Sequence, residues 1–334
     1  KFETFEYYNL LFLSNLKNIT LKWDDNIINF NKNEKPVKGS DLAFNSIVSV
    51  NKEKHQYLVF KTNVVSQEFS KLKNKPNIAI AFKQETVDGV LQIVKSETSN
   101  LFAFFETGYE TFLSYLIQAP FSTTPARDNI DFKLPVNIEL LEELGQLMKK
   151  VLIHFRENKL ISLDFLNQLP LDYKIDENKI VYWNFFNAVK EEFLSGEKYL
   201  PTMFKNNYQA AQDVAIVRGR ELTSLISSVT DLRILFDKKY WMDTKITVDK
   251  TPELYYYFTN QLNIKEYTPD DFARKVTDDF FITKTDSWMI KFYEFLNGKQ
   301  ESLWRSGNKK DQGALRQKAI LRLNNGEHSK PFDS

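Results

Sequence analysis

The sequence predicts an α+β chain: an antiparallel β-rich N-terminal unit followed by a mostly α-helical one. Six short runs rich in β-branched and aromatic residues (ITLKW, SIVSV, QYLVFKT, NIAIAF, VLQIV and LFAFF) lie between residues 19 and 105, with turn residues among them. After Pro135 the apolar period changes from two to about 3.6, because Leu140, Leu141, Leu144, Leu147, Met148, Val151, Leu152 and Phe155 share one helical face. Helix-start signals then recur. Thr251-Pro252-Glu253 places a threonine before a proline at the first helical position, and Thr268-Pro269-Asp270-Asp271 adds an acid three residues after the threonine.

Taken in order, Phe5–Leu16 reads as a short apolar helix. Gly39, Asp88-Gly89 and Thr107-Gly108 mark turns among the strands. Asn31–Ser40 and Ser70–Asn77 read as loops rich in lysine and asparagine. Phe112–Phe121 reads as a buried strand leading into a polar loop, Ser122–Asn129. The helix after Pro135 carries Glu139, Glu142 and Glu143 early and Lys149, Lys150 and Arg156 late, which suits its dipole. Helices are expected to continue to about residue 297, the last being Asp286–Asn297 with Gly298 as its cap. Asn325-Gly326 reads as a hairpin turn after a short strand. The expected division is an α+β middle-type domain over 1–134, a helical domain over 135–300, and a basic tail with a terminal strand over 301–334.

Composition bounds the function. The chain has 334 residues, 42% hydrophobic and 14% aromatic, enough apolar surface for real cores. A net charge of +1 favours neither nucleic acid nor a membrane surface as partner. No run of about eighteen apolar residues exists, so no membrane span is expected. The absence of cysteine excludes disulfides and thiolate metal sites and fits a cytoplasmic location. Lys1, in place of an initiator methionine, leads us to expect a piece of a longer protein.

Several chemistries lack their residues. Phosphate-cradling loops need closely spaced glycines, and here no two glycines lie within five residues of one another. The three histidines, His55, His154 and His328, have no helical metal-ligand spacing, so no metal site is expected. His154 reads as a helix C-terminal cation or a partly buried core residue. Adjacent acids such as Glu142-Glu143, Glu191-Glu192 and Asp278-Asp279 point to different faces of a helix and read as solvated surface. Two lysine-rich clusters remain: Lys71, Lys73 and Lys75 in a loop, and Lys309, Lys310, Arg316, Lys318 and Arg322 near the end. Weak aromatic interleaving makes both read as solvated rather than as nucleic-acid contacts. Arg127 stands apart, since it leaves a buried strand into an open loop behind Pro125. Two readings stay open for it: a surface ion pair with Asp128 or a nearby glutamate, or a cation presented to an anionic ligand.

The stretch FETGYETFLSYLIQAPFSTTPARDNI, residues 105–130, resembles the middle segment of bacterial proteins with a sacsin-type, heat-shock-protein-90-like ATPase module. Its TTPARDN core, 123–129, carries the likeness most specifically. Tyr8–Leu16, RGRELTSLI (218–226), DKTPELYYYF (249–258) and DSWMIKFYEFLNG (286–298) follow the same order, so the likeness covers most of the chain. The resemblance implies a GHKL ATPase parent whose N-terminal domain holds ATP and Mg²⁺ through a Glu/Asn helix and DxGxG-type loops. Those motifs are missing here, so this chain alone is expected to bind no cofactor and catalyse nothing. Residues 1–18 would be the tail of the nucleotide-domain module. The resemblance further implies that Arg127 senses the terminal phosphate as the candidate catalytic residue, with Thr124 and Asn129 as weaker nucleotide-facing neighbours. The implied role is to couple ATP state to a protein client or partner, in a chaperone-like or defence-associated setting, with homodimerisation open. The alternative is an interaction scaffold without ATP coupling.

Overall fold

The computed structural model describes residues 5–298, 300–305 and 313–331. The chain divides into two compact units, Lys1–Glu192 and Phe193–Ser334. The change of period near residue 135 is therefore a change of element type inside the first unit.

The first unit is built on a nine-stranded sheet. A short helix α1 (Asn9–Phe12) precedes β1 (Asn18–Trp23), β2 (Asn26–Pro36), β3 (Ala43–Val50), β4 (Glu53–Asn63), β5 (Asn77–Val87) and β6 (Val90–Val94), each antiparallel to the one before. Asp88 and Gly89, with φ of 51° and 77°, make the two-residue β5–β6 turn, where the paired strands demand left-handed backbone. The chain then forms β7 (Asn100–Ala103) and β8 (Phe105–Glu110) before β9 (Leu116–Gln118) inserts between β5 and β7. Only the β7–β9 pairing is parallel within this sheet.

Alternation along the strands gives each face its own partner. Tyr57, Val59, Ala79 and Ala81 turn towards α1 and form a core with Leu10, Leu11 and Phe12. On the neighbouring alternate positions Phe60 and Phe82 meet the long helix α2 (Pro135–Glu157), with ring centroids 5.9 and 6.0 Å from Phe155. All eight residues of the predicted apolar face of α2 are buried. The short helix α3 (Leu163–Leu166) adds Phe165, stacked on Phe155 at 3.8 Å.

Several expectations need correction. The N-terminal helix is only Asn9–Phe12 rather than Phe5–Leu16. Its residues are spent elsewhere: Asn9 Oδ1 accepts from Glu106 N at 3.1 Å, and Lys32 Nζ donates to the carbonyls of Leu13 and Leu11 at 2.8 and 3.4 Å. Residues 31–36, expected in a loop, belong to β2, where the buried stem of Lys32 satisfies the alternation. Thr107-Gly108 lies inside β8 and not at a turn. Of the expected strand Phe112–Phe121 only Leu116–Gln118 is strand, and Phe112, at the head of the run, takes a left-handed φ of 61° that no strand residue adopts.

The second unit contains a small parallel sheet that the helical reading missed. Its strands are β12 (Val214–Val217), β13 (Tyr240–Trp241) and β14 (Glu266–Tyr267), in the order β13-β12-β14, preceded by the two-residue pair β10 (Leu200–Pro201) and β11 (Tyr208–Gln209). A four-residue apolar run such as VAIV has no period that separates strand from helix. Helices of this unit include one at Pro269–Lys275, where Thr268 and Asp271 form the predicted capping box, and one at Asp286–Gly298, which runs through the glycine expected to cap it. Asn325-Gly326 turns between Leu321–Arg322 and His328–Ser329 as predicted, with Gly326 at φ 84°. No helix among the described residues is long and apolar enough to cross a membrane.

Burial lowers the Lys32 amine to about 8, partly opposed by Glu34, while its unfolded value lies near 10.4. Between these values the unfolded chain binds the extra proton, so stability must rise with pH through that window. Compared with Lys32→Met, the wild-type chain should gain about 1–3 kcal/mol of unfolding free energy between pH 7.5 and 10, read by urea titration. An unchanged difference across that range would contradict the burial argument.

Candidate functional site

The loop that leaves β9 is held at both ends by α2. Asn137, fully buried in the first turn of α2, accepts from Ser122 N at 2.9 Å. Its amide donates back to Ser122 O at 2.9 Å and to Asp131 O at 3.0 Å. Loop residues 122–131 therefore close into a loop whose ends are stitched by one side chain.

Inside it, Thr124 and Asn129 serve the loop itself. Thr124 Oγ1 donates to Asp128 Oδ1 at 2.6 Å, Thr124 N donates to Asn129 O at 3.2 Å, and Asn129 Oδ1 accepts from Ile130 N at 2.8 Å. Arg127 takes a left-handed φ of 59°, its N–H donating to Thr124 O at 2.9 Å. The guanidinium Nη2 donates to Ala103 O at 2.5 Å and lies 3.4 Å from Phe105 O. The group stands 5.9 Å from the Phe105 ring centroid. Among the described residues no carboxylate pairs with it, and its Nε has no hydrogen-bond partner. The surface ion pair, one of the two readings left open by the sequence, is not formed among the described residues; the cation folds back onto the β7–β8 hairpin of its own sheet.

That contact brings two unusual residues together. Phe104, the single residue between β7 and β8, has a φ of 67°, an outlier position for a bulky side chain. Phe104 is 41% exposed and Phe105 44% exposed. Phe104 N donates to the buried Gln118 Oε1 at 2.8 Å, and Gln118 Nε2 reaches Asn77 O at 3.1 Å. Arg127 and Gln118 thus both hold the hairpin tip, one through its carbonyls and the other through the Phe104 N–H. Sequence reasoning found Arg127 but missed Phe104 and Gln118. Phe104 lies in FAFF and Gln118 in the apolar run Phe112–Phe121, and both stretches read as plain strand.

Gly108 explains how the loop lies so close to β8. Gly108 N donates to Arg127 O at 2.9 Å, and a Cβ at Gly108 would stand 2.9 Å from the Asp128 carbonyl oxygen.

The other sequence candidates lie elsewhere. His55 stacks on Tyr7 at 3.7 Å, His154 meets Phe60 edge-on at 5.1 Å with its pKa lowered by burial, and His328 Nδ1 is 3.2 Å from Ala319 O. No group of metal-binding side chains occurs among the described residues. Glu143 and Asp278, expected as solvated surface, instead accept backbone N–H groups: Glu143 those of Val65 and Ser66 at 2.9 and 2.7 Å, Asp278 that of Ala319 at 2.8 Å. Two tail cations also turn inward, Lys318 to Val276 O and Arg322 to Lys284 O and Asp286. Lys309 and Lys310 lie outside the described residues.

Comparison of the chain with protein-family models, with curated proteins and with solved structures gives no match. The site stands on its own geometry.

Gly108→Ala should cost about 1–3 kcal/mol by overpacking, read as a lowered urea midpoint. Gly298→Ala, where a Cβ would meet nothing within 4 Å, is the control and should leave the midpoint unchanged or raise it. Equal behaviour of the two variants would refute the close approach.

Proposed function

We propose that the first unit is a coupling domain that docks against a GHKL-type nucleotide-binding domain through the rim formed by the Arg127 loop and the Phe104-Phe105 hairpin tip. One observation carries this reading. Arg127, itself in left-handed backbone, bonds the carbonyls on either side of Phe104, a second bulky residue in left-handed backbone, at a place where Phe104 and Phe105 remain exposed. Such strain costs about 1–3 kcal/mol per residue and collects where a surface has work to do beyond folding. The resemblance of residues 123–129 to the sacsin-type segment supplies the class of neighbour.

The chemistry of the exchange follows from charge. In the structure the guanidinium sits on neutral carbonyls. A phosphate carries full negative charge and can take two parallel N–H bonds from one guanidinium, which a single neutral carbonyl cannot. A terminal phosphate brought to the rim would compete for Arg127 and free the carbonyl of Ala103, loosening the hairpin tip. Nucleotide state would then be read as the position of Phe104. Arg127 would stabilise charge on the transferring phosphoryl group at the same moment. The sequence lacks the closely spaced glycines of a phosphate-cradling loop, so in this reading ATP and Mg²⁺ would be held by the neighbour.

In the full-length gene product, Arg127→Ala and Arg127→Lys should each lower ATP turnover by about tenfold or more. Arg127→Lys keeps a cation and should leave thermal unfolding close to that of the wild type. Turnover unaffected by both substitutions overturns the coupling and leaves the interaction scaffold, which the exposed rings would also serve.

A further inference from the structure

A cavity of about 610 Å³ opens on the α1 side of the sheet, beyond the Arg127 rim. The segment after α1, the chain from Phe69 to Asn77, and Phe104 form its walls. Three of the large apolar side chains that the molecule leaves exposed converge on it: Leu16 at 46%, Leu72 at 50% and Phe104 at 41%. Phe12 and Phe69 complete that wall. Such convergence departs from the scattered exposure normal on a protein surface.

Its charged lining is of one sign. Lys32, Lys61 and Lys75 line it, and no carboxylate does among the described residues. Glu34 pairs with Lys61 from outside the lining. Lys32 spends donors on the carbonyls of Leu11 and Leu13. Lys75 is exposed and is the cation available for a ligand. Asn63, Asn74 and Asn77 add amides around it. An apolar cavity of roughly 300–1,000 Å³ with a few converging polar groups is the usual form of a small-molecule site.

We propose that this cavity binds an amphipathic anion, with its headgroup at Lys75 and its apolar body against Leu72, Phe69, Phe12 and Phe104. An acyl carboxylate and an aryl phosphate share that chemistry. The proposal needs no nucleotide-bearing neighbour, so it stands or falls apart from the coupling role. It does give the clamp on Phe104 a second meaning, because Arg127 holds one wall of the cavity in place through the carbonyls of Ala103 and Phe105.

Anilinonaphthalene sulfonate, an apolar anion, tests it directly on this chain, with the neutral phenylnaphthylamine as its uncharged counterpart. The sulfonate should bind one site with a saturable fluorescence gain. Lys75→Glu should weaken it about fivefold or more while changing the neutral probe by less than about twofold, a difference set by charge at the headgroup. Phe104→Ala should weaken both probes. Displacement of the sulfonate by decanoate but not by naphthyl phosphate assigns an acyl ligand, and the converse assigns a phosphate. Failure of both to displace it, or equal loss of the two probes in Lys75→Glu, overturns the proposal.

Discussion

The arrangement of the first unit's rim rests on one contact, the guanidinium of Arg127 against the carbonyl of Ala103. It joins two segments that are distant in sequence, β7–β8 and the loop after β9, at the place where each has left-handed backbone. A carbonyl half-buried at a hairpin tip needs a donor. The arginine supplies one and in doing so fixes Phe104 in a conformation that phenylalanine does not favour. The same tip is held from the sheet side by Gln118, whose amide is satisfied at both ends. Removing either clamp would leave a strained residue with no reason to stay strained.

The large features of the fold were legible because their periods are unambiguous. The eight-residue apolar face of α2 repeats long enough for burial to decide it, and β3 to β5 stand out as runs of β-branched and aromatic residues. The Thr268–Asp271 box was legible for a different reason, since its two reciprocal bonds are local. What failed was decided by partners far along the chain. Lys32 was read as a loop residue, and only the carbonyls of Leu11 and Leu13 make it an interior one. Gly108 was read as a turn glycine, and only the approach of Asp128 shows why it lies in a strand. Glu143 and Asp278 carry no mark that separates a backbone cap from a solvated acid.

The candidate site was half legible. A lone arginine after a buried strand drew attention to a loop that packs on the β7–β8 edge of the sheet. Its direction was not in the sequence, because the guanidinium's acceptors are main-chain oxygens, which every residue possesses. Thr124 and Asn129 were placed correctly on the loop, yet their polar atoms are spent on its own turns. Phe104 could be recognised only from its backbone.

The order of strands carries a consequence for how the chain reaches this state. β1 to β6 each pair with the strand before, whereas β9 lies between β5 and β7 although β6, β7 and β8 separate it from β5 in the chain. β5 is shared along its length, with β6 beside its second half and β9 beside its first. Contact-order reasoning places the arrival of β9 late, since its loop closure is the longest among these pairings. Until it arrives, the first half of β5 is an unpaired apolar edge, NIAIA, of the kind that recruits other chains. Aggregation during synthesis would begin at that edge, and the final three-residue strand is what seals it.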